Sequence, residues 1–565
     1  MRLSSSSSTT ATLVAQSVVK SRGAAVILAG VDLVVGPEHR IGVVGPNGVG
    51  KTTLLRVLAG LEAPDSGHVS PAPPTASIGY LAQEPEALPG ETLRGFLGRK
   101  TAVDGAEARL AEAAAALASL PLRAGAEAGY SVALERYLAL GGPDFESRIG
   151  TVLDDIGLHH RLLAVAMAGL SGGQLAKAAL AVVLLSRFDV LLLDEPTNDL
   201  DFDGLDRLEH FLEDRGGGLV VVSHDRAFLE RVVSSVLELD EAEHTATHYA
   251  GGWRAYLEAR STARRHAEEA YGNYVRERSR LQSREREQRQ WSVQGVSKER
   301  KKSRDADKAQ RDFRLNRTEK QASKVRITEK ALERLEPVAK VHEPWRLNLR
   351  LEQTGRSGDL VAVLESAVVH RGEWTLGPVD VEVRFADRVV ILGPNGSGKT
   401  TLIAALLGRV PLESGTQRLG PSVVVGELGQ ERRRFVEGDL GLLDMFVRAS
   451  GMASGEARSL LAKFGLSAHH VLRRAASLSP GERTRAELAL MMARGANCLV
   501  LDEPTNHLDL PAIEQLETAI DTWEGTLLLV THDRRLLESV RATRGIELAH
   551  GGTELAQGRA STLLL

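Results

Sequence analysis

Two glycine-rich loops carry the residues with the clearest chemical meaning. GPNGVGKT spans 45–52 and GPNGSGKT spans 393–400, each between an apolar run and a predicted helix. Such loops let backbone N–H groups close around phosphate oxygens, and the helix N-terminus adds positive charge. The lysines would reach outer phosphates, and the threonines after them would bind Mg²⁺. The predicted phosphate-binding residues are Gly45, Pro46, Asn47, Gly48, Gly50, Lys51, Thr52, Thr53, Gly393, Pro394, Asn395, Gly396, Gly398, Lys399, Thr400 and Thr401.

An Asp–Glu pair ends an apolar run in each half of the chain, at Asp194–Glu195 and at Asp502–Glu503. The first carboxylate suits a Mg²⁺ ligand, and the second can polarise or accept a proton from an attacking water. His224 and His532 each end another apolar run, so we expect them at the same sheet edge, orienting water or sensing the γ-phosphate. Capping at strand ends is the alternative for a single pair, but it does not explain two pairs in register.

The elements that must position these residues occur twice. LSGGQ at 170–174 returns as LSPGE at 478–482, and SHDR at 223–226 returns as THDR at 531–534. Short apolar runs alternate with predicted helices, which indicates α/β domains with helices on both faces of a parallel sheet. The two glycine loops lie further apart in the chain than the two signatures do. The first copy therefore has about 40 additional residues between its glycine loop and LSGGQ. An Ala-rich stretch there predicts an enlarged helical subdomain at about 86–168.

The segment between the two copies differs in charge. Residues 257–340 contain 24 Lys and Arg against 14 Asp and Glu, whereas the whole chain carries a net charge of −4. The stretches 257–290 and 304–336 lack proline and predict two long helices around a basic tip at about 291–303. A solvated charged linker is the alternative. We expect a disordered tail at 1–10, a first domain at 11–255, a hairpin linker at 256–340 and a second domain at 341–565.

Composition narrows the class further. The chain has 565 residues, 43% hydrophobic and 25% charged, which fits soluble globular domains. Apolar runs are too short to span a bilayer. The single cysteine, Cys498, excludes a disulfide framework and fits a reducing cytoplasm. The Ser-rich start lacks the apolar region of a secretion signal. We therefore expect a cytoplasmic protein.

Together, these motifs resemble those of the ATP-binding cassette ATPases over nearly the whole chain outside the tail and linker. The resemblance implies two α/β nucleotide-binding domains in a head-to-tail sandwich, with ATP and Mg²⁺ as cofactors. Each ATP would lie between one glycine loop and the other copy's signature. Glu195, Glu503, His224 and His532 would be catalytic. In site one, Lys51, Thr52, Gln83, Asp194, Glu195 and His224 would face Ser479, Gly481 and Glu482. In site two, Lys399, Thr400, Gln430, Asp502, Glu503 and His532 would face Ser171, Gly172, Gly173 and Gln174.

Within the implied Mg²⁺ sites, the resemblance adds a glutamine to the threonine and aspartate: Gln83 in site one and Gln430 in site two. Two departures stand out. The family usually has an aromatic upstream of the glycine loop that stacks on adenine; the first copy offers none, and the second offers only His370 or Trp374. Pro480 also removes one backbone donor from the second signature.

Two cassettes fused without a membrane span resemble the ABC-F subfamily, whose charged linker enters the ribosomal exit (E) site and reaches the P-site tRNA. The resemblance implies a monomer that binds the 70S ribosome through rRNA and tRNA, without a membrane subunit, and that modulates translation or protects ribosomes from antibiotics. The insertion lacks a dense basic pattern, which favours a member without a substantial arm. The alternative is the ATPase component of a membrane transporter. The residues expected to contact RNA are Lys298, Arg300, Lys301, Lys302 and Arg304.

Overall fold

The computed structural model describes residues 11–23, 25–118, 125–241, 243–300, 326–336, 358–371, 374–428, 440–478, 480–506 and 508–548, with side chains of 289–300 and 480 excepted. These residues form two compact units. One unit contains both α/β domains, and the other is Ala255–Pro344. The tandem architecture predicted from the repeat is confirmed. Among the described residues, no helix is both long and apolar enough to cross a membrane.

The first domain is built on a six-stranded sheet of buried, Val- and Leu-rich strands. Its first five strands are parallel, and the last pairs antiparallel at one edge. An antiparallel three-stranded sheet packs with it around a shared apolar core. In spatial order, the main strands are Ile78–Leu81, Val190–Asp194, Gly218–Val222, Arg40–Val44, Ser235–Leu239 and Ala246–Ala250, and the smaller sheet holds Ala25–Val35, Thr12–Arg22 and Ser66–Ala72.

The helices of the first domain include the predicted enlarged subdomain. Its insertion forms a pair of helices, Val103–Ala118 and Ala126–Ala139, of which the second buries no residue. The remaining helices are Lys51–Leu58, Leu93–Lys100, Phe145–Asp155, Gly172–Leu185, Phe202–Asp214 and Arg226–Val232, with short 3-10 turns at His160–Ala164 and Met167–Gly169.

The second domain repeats this plan with five parallel strands. In spatial order they are Val425–Leu428, Cys498–Asp502, Thr526–Val530, Arg388–Leu392 and Arg544–Glu547, beside a small sheet of Trp374–Arg384, Leu360–Arg371 and Ser414–Leu419. The helices are Lys399–Leu406, Leu442–Ser450, Ser454–Lys463, Ala468–Val471, Pro480–Ala493, Leu510–Asp521 and Arg534–Val540, with a 3-10 turn at Ala475–Ser477. In both domains, parallel strands end at one edge, which brings the glycine loop, the acidic pair and the histidine together.

The linker begins with one long helix, Gly252–Arg300. The helix begins at Gly252, and both Gly251 and Gly252 have positive φ. The helix runs ten residues past the predicted end at 290, so the start of the predicted tip is helical and Gly295 does not break it. Residues 326–333 are also helical, and the Thr328 hydroxyl lies 3.0 Å from Gln288 Oε1. The two helical segments are therefore in contact at this point, as a helical hairpin requires. The tail 1–10 lies outside the described residues.

Candidate nucleotide sites

Both glycine loops fold around their own lysine. Lys51 Nζ donates to the carbonyl oxygens of Gly45 at 2.7 Å and Pro46 at 3.2 Å. Lys399 Nζ makes the equivalent bonds at 2.7 and 3.1 Å. Burial lowers the pKa of both lysines, and neighbouring carboxylates oppose that shift. Each loop thus holds an ammonium group and a helix N-terminus where phosphates would bind.

A threonine and an aspartate meet beside each lysine. The Thr400 hydroxyl donates to Asp502 Oδ2 at 2.9 Å, and Thr52 hydrogen-bonds Asp194 in the first domain. Burial raises the pKa of both aspartates, and the threonine bond opposes the rise. Asp194 Oδ2 is buried and accepts no hydrogen bond within the described part of the chain. A buried carboxylate oxygen with free lone pairs beside a hydroxyl is a donor set that fits Mg²⁺.

A histidine connects the glutamate and the lysine in each domain. His224 Nε2 is 3.2 Å from both Glu195 Oε1 and Lys51 Nζ. In the second domain, His532 Nε2 lies 3.4 Å from Glu503 and 3.2 Å from Lys399 Nζ. Each domain therefore places its histidine against both the predicted base and the lysine.

Burial sets the proton affinities of these groups. It raises the pKa of Glu195 to about 7 and that of Glu503 to about 8, although the adjacent lysine opposes the shift. Burial and the lysine charge lower the pKa of His224 well below its usual range and that of His532 to about 4. Both imidazoles are therefore neutral at physiological pH, whereas the glutamates exchange protons near neutrality.

The two domains meet at these sites. The Asn395 backbone N–H donates to Asp201 Oδ2 at 2.9 Å, and its side-chain amide donates to the Asp199 carbonyl at 2.6 Å. The matching contact joins the Asn47 N–H to Asp509 Oδ2 at 3.3 Å. Sequence reasoning missed these aspartates, although both follow the DEPTN motif at equal spacing and cap the next helix.

A cavity of about 470 Å³ opens between the two domains at site two. Gly172 and Gly173 line one side, and Lys399, Asp502 and Glu503 line the other. A Cβ on Gly173 would lie 3.3 Å from Asn395 Cβ, so the signature directly faces the opposite glycine loop. The predicted pairing of loop and signature is present here.

The two signatures differ in their local contacts. In the first, the Ser171 hydroxyl accepts from the Gln174 N–H at 3.4 Å, and the Gln174 side chain accepts from the Ser171 N–H at 2.9 Å, forming a capping box. In the second, Gly481 is helical, and Glu482 lies 3.2 Å from His470 and 3.4 Å from Arg473. The second signature therefore places its acidic residue beside a histidine and an arginine.

Different side chains cover the two glycine loops. The Trp374 ring lies over Gly398, where an added Cβ would approach it to 2.2 Å, and it lines the cavity of site two. Ile27 covers Gly50 in the same way, at 2.6 Å. His370 instead lies 2.6 Å from the Thr375 hydroxyl. The structure therefore favours Trp374 of the two aromatic candidates.

Several predicted site residues need separate mention. Gln83 lines a smaller cavity of about 160 Å³ with Glu195 and Gly172. Gln430 and Ser479 lie outside the described residues. Of the predicted RNA contacts, only the backbone of Lys298 and Arg300 is described, and Lys301, Lys302 and Arg304 lie outside the described range.

Comparison with known proteins places this geometry in a family. The sequence model of the family described as ABC transporter matches residues 28–198 and 376–506. Tylosin resistance ATP-binding protein TlrC of Streptomyces fradiae is 33% identical over 518 residues, covering 90% of this chain and 92% of the relative. Energy-dependent translational throttle protein EttA of Escherichia coli is 32% identical over 545 residues, covering 91% and 88%.

Solved structures agree on the fold. The chain titled RNase-L Inhibitor superposes with a TM-score of 0.53 at 18% identity, covering 95% of this chain and 88% of that one. The fold and the paired sites define an ATP-hydrolysing enzyme of the ATP-binding cassette class. Within that class, the chain belongs to the ABC-F family.

Proposed function

We propose that this chain is a ribosome-binding ATPase of the cytoplasm that modulates translation. Closure of its cassettes on ATP would insert the linker at the E site, toward the P-site tRNA and the peptidyl-transferase centre. One observation carries the proposal: a helical hairpin with a net charge of +10 over residues 257–340 joins two composite ATPase sites. The polyanionic surface of a ribosome matches such a segment. The name of the relative EttA, a translational throttle protein, supports the same choice.

In the proposed reaction, Lys51 and Lys399 neutralise phosphate charge while Glu195 and Glu503 accept a proton from the attacking water. The neutral His224 would contact the γ-phosphate in site one, as His532 would in site two. Bound Mg²⁺ would supply further charge neutralisation at the phosphates. Thr52, Gln83 and Asp194 would hold it in site one, and Thr400, Gln430 and Asp502 in site two.

ATP would also join the two cassettes. Its γ-phosphate would be shared between one glycine loop and the opposite signature, Ser171, Gly172, Gly173 and Gln174 for site two, and Ser479, Gly481 and Glu482 for site one. The cassettes would close because each bound ATP contacts both domains. ADP would keep fewer of these contacts, so the cassettes would open after hydrolysis. The monomer would therefore cycle between closed and open forms without a membrane subunit.

Antibiotic protection is a second candidate function. It is supported by the 33% identity to a relative named for tylosin resistance, which spans 92% of that protein. In this account, the linker would act by displacing tRNA and rRNA and need not bind the drug. Growth of a sensitive host carrying this chain, measured against a macrolide and an unrelated drug, tests the candidate.

The test of the main proposal uses Glu195→Gln with Glu503→Gln, which should trap the ATP-bound form. We expect the double variant to sediment with 70S ribosomes in ATP and to leave them in ADP. A third substitution, Lys399→Ala, serves as control because it removes ATP binding from site two. Sedimentation independent of nucleotide, or association with membranes in place of ribosomes, would overturn the proposal in favour of a transporter component.

A further inference from the structure

The helices that follow the two histidines pack against each other across the cassette interface. His224 precedes the helix Arg226–Val232, and His532 precedes the helix Arg534–Val540. Each helix sends its first arginine to the other cassette. Arg534 donates to Glu209 at 2.9 Å, and Arg226 contacts Glu517. These two ion pairs are equivalent, because both partners recur 308 residues later.

A further contact is one-sided. Arg535 of the second cassette pairs with Glu230 of the first at 2.5 Å. The residue that corresponds to Arg535 in the first cassette is Ala227, which has no charge. Glu538, which corresponds to Glu230, lies 3.6 Å from Arg535 of its own helix. The contact therefore joins the two helices once, and the described residues contain no reciprocal pair.

Glu230 has a second partner at the start of the linker helix. Arg254 lies in the first turn of Gly252–Arg300 and contacts the other oxygen of the same carboxylate. The side chain of Glu230 is 19% exposed, and hydrogen bonding to Arg254, with Arg535 adding to it, holds its pKa below the usual range. The carboxylate is thus ionised and bridges two guanidinium groups.

The linker is anchored at the same place. It leaves the sheet after the edge strand Ala246–Ala250, and Trp253 beside Arg254 is 3% exposed. A Cβ on Gly252 would lie 3.2 Å from the Val233 carbonyl, directly after the helix that carries Glu230. A movement of that helix would therefore act on the first turn of the linker.

We propose that Glu230 is a positioning residue that ties the linker base to the helix Arg534–Val540 of the second cassette, so that linker orientation depends on nucleotide binding at site two as well as at site one. Arg535 is three positions after His532, which lies beside Lys399, and one carboxylate separates Arg535 from Arg254. Glu230 itself lies on the helix that follows His224 of site one, so the contact with Arg535 is what adds site two to this path. The inference rests on the proposed function only for its biological role, because the contacts from His532 to Arg254 exist without a ribosome.

The test measures linker position without ribosomes. Spin labels at Arg280→Cys on the linker and Arg418→Cys on the second cassette, both exposed, give one distance by pulsed electron resonance. The native Cys498 is buried and would not compete for label. The Glu195→Gln and Glu503→Gln background keeps ATP intact. We expect ATP to change the distance in this parent, and Lys399→Ala to reduce the change.

Two variants then interrupt the path. Glu230→Gln and Arg535→Ala should each reduce the ATP-dependent change as far as Lys399→Ala does, whereas Glu230→Asp should retain it. Arg541→Ala is the matched control, since its exposed guanidinium pairs with Asp521 inside its own cassette. With catalytic glutamates restored, basal ATPase activity should stay within about two-fold, because neither Glu230 nor Arg535 belongs to the groups that contact the nucleotide.

An ATP response that persists at full size in Glu230→Gln, is absent from the parent, or is unaffected by Lys399→Ala would overturn the inference. Ribosome sedimentation of the same proteins separates this result from failure of the proposed function. If the distance responds as expected but no variant binds ribosomes, the path stands and the ribosomal role falls. If ribosomes are bound but the distance is unaffected by Glu230→Gln, the reverse holds.

Discussion

The two nucleotide sites share their reactive groups and differ in what surrounds them. Lysine, histidine and glutamate meet at nearly equal distances in both. At site two, Trp374 covers the loop and the opposing signature is held by a capping box. At site one, Ile27 covers the loop, and Glu482 of the opposing signature lies beside His470 and Arg473. The two copies therefore share their hydrolytic residues but differ in the side chain that covers the glycine loop and in the contacts to the linker.

Removing both bases should have the largest effect. Glu195→Gln with Glu503→Gln should lower the rate of ATP hydrolysis by about 10² to 10⁴-fold, the contribution typical of a positioned base. Nucleotide affinity should persist, because the loops are unchanged. Single variants measured by phosphate release would show whether the sites contribute equally. Turnover of the double variant at the parental rate would contradict the role assigned to both glutamates.

The next largest effect should be on the affinity for ATP, through stacking of the adenine base at one of the two sites. Trp374→Ala should weaken ATP binding at site two by roughly 5- to 100-fold, because stacking on an aromatic ring contributes about 1–3 kcal/mol per base. Ile27→Ala at site one is the matched control and should have a much smaller effect. Titration with a fluorescent ATP analogue, with the other site disabled at its lysine, measures each affinity. Equal losses in the two variants would show that the ring does not contact the base.

The pH dependence of kcat/KM should follow the glutamates. Burial raises the pKa of both, and a base acts only when deprotonated, so activity should rise with pH through about 7 for site one and about 8 for site two. Between pH 6 and 8, an increase of about tenfold is expected for isolated site one and of about 50-fold for isolated site two. A flat profile over that range would indicate that chemistry or proton transfer by these groups does not limit the rate.

Stability should also depend on these glutamates. A carboxyl whose pKa is raised by folding binds its proton more tightly in the folded state, so stability is lost as the pH rises from the ordinary glutamate pKa to the raised one. Glu195→Gln with Glu503→Gln should therefore stabilise the protein relative to the parent more at pH 8.5 than at pH 5. Urea unfolding at the two pH values measures this. A larger gain at the lower pH would contradict the sign.

The sequence predicted the position of a residue best where the residues next to it in the chain also determine where it lies in the fold. The glycine loops, the acidic pairs and the late histidines all end short apolar runs, so strand order alone brings them to one sheet edge. The cross-cassette contacts of Asp201 and Asp509 depend on how two folded domains meet, which no local pattern states. The same holds for Glu230, whose partners Arg254 and Arg535 lie in different elements.

The linker shows a limit of prediction from composition. Its helical composition predicted the hairpin, but the basic tip was expected to begin at 291, whereas the backbone stays helical to Arg300 and through Gly295. One glycine costs about 1 kcal/mol in a helix, and strong helix formers on both sides can offset it. Trp374 could not be separated from His370 by sequence, because only the folded strand pair shows which ring faces the loop.

The salt dependence of ribosome binding tests the central claim most directly. Replacing Lys298, Arg300, Lys301 and Lys302 by Ala should lower affinity and reduce the slope of log affinity against log salt by roughly 3, at about 0.7–0.9 per phosphate contact. Basal ATPase activity should persist. The matched control removes four exposed arginines of the second cassette: Arg384, Arg418, Arg541 and Arg544. We expect the control to keep the parental slope; equal slopes and affinities in parent and linker variant would reduce the hairpin to a spacer and contradict the ribosomal function.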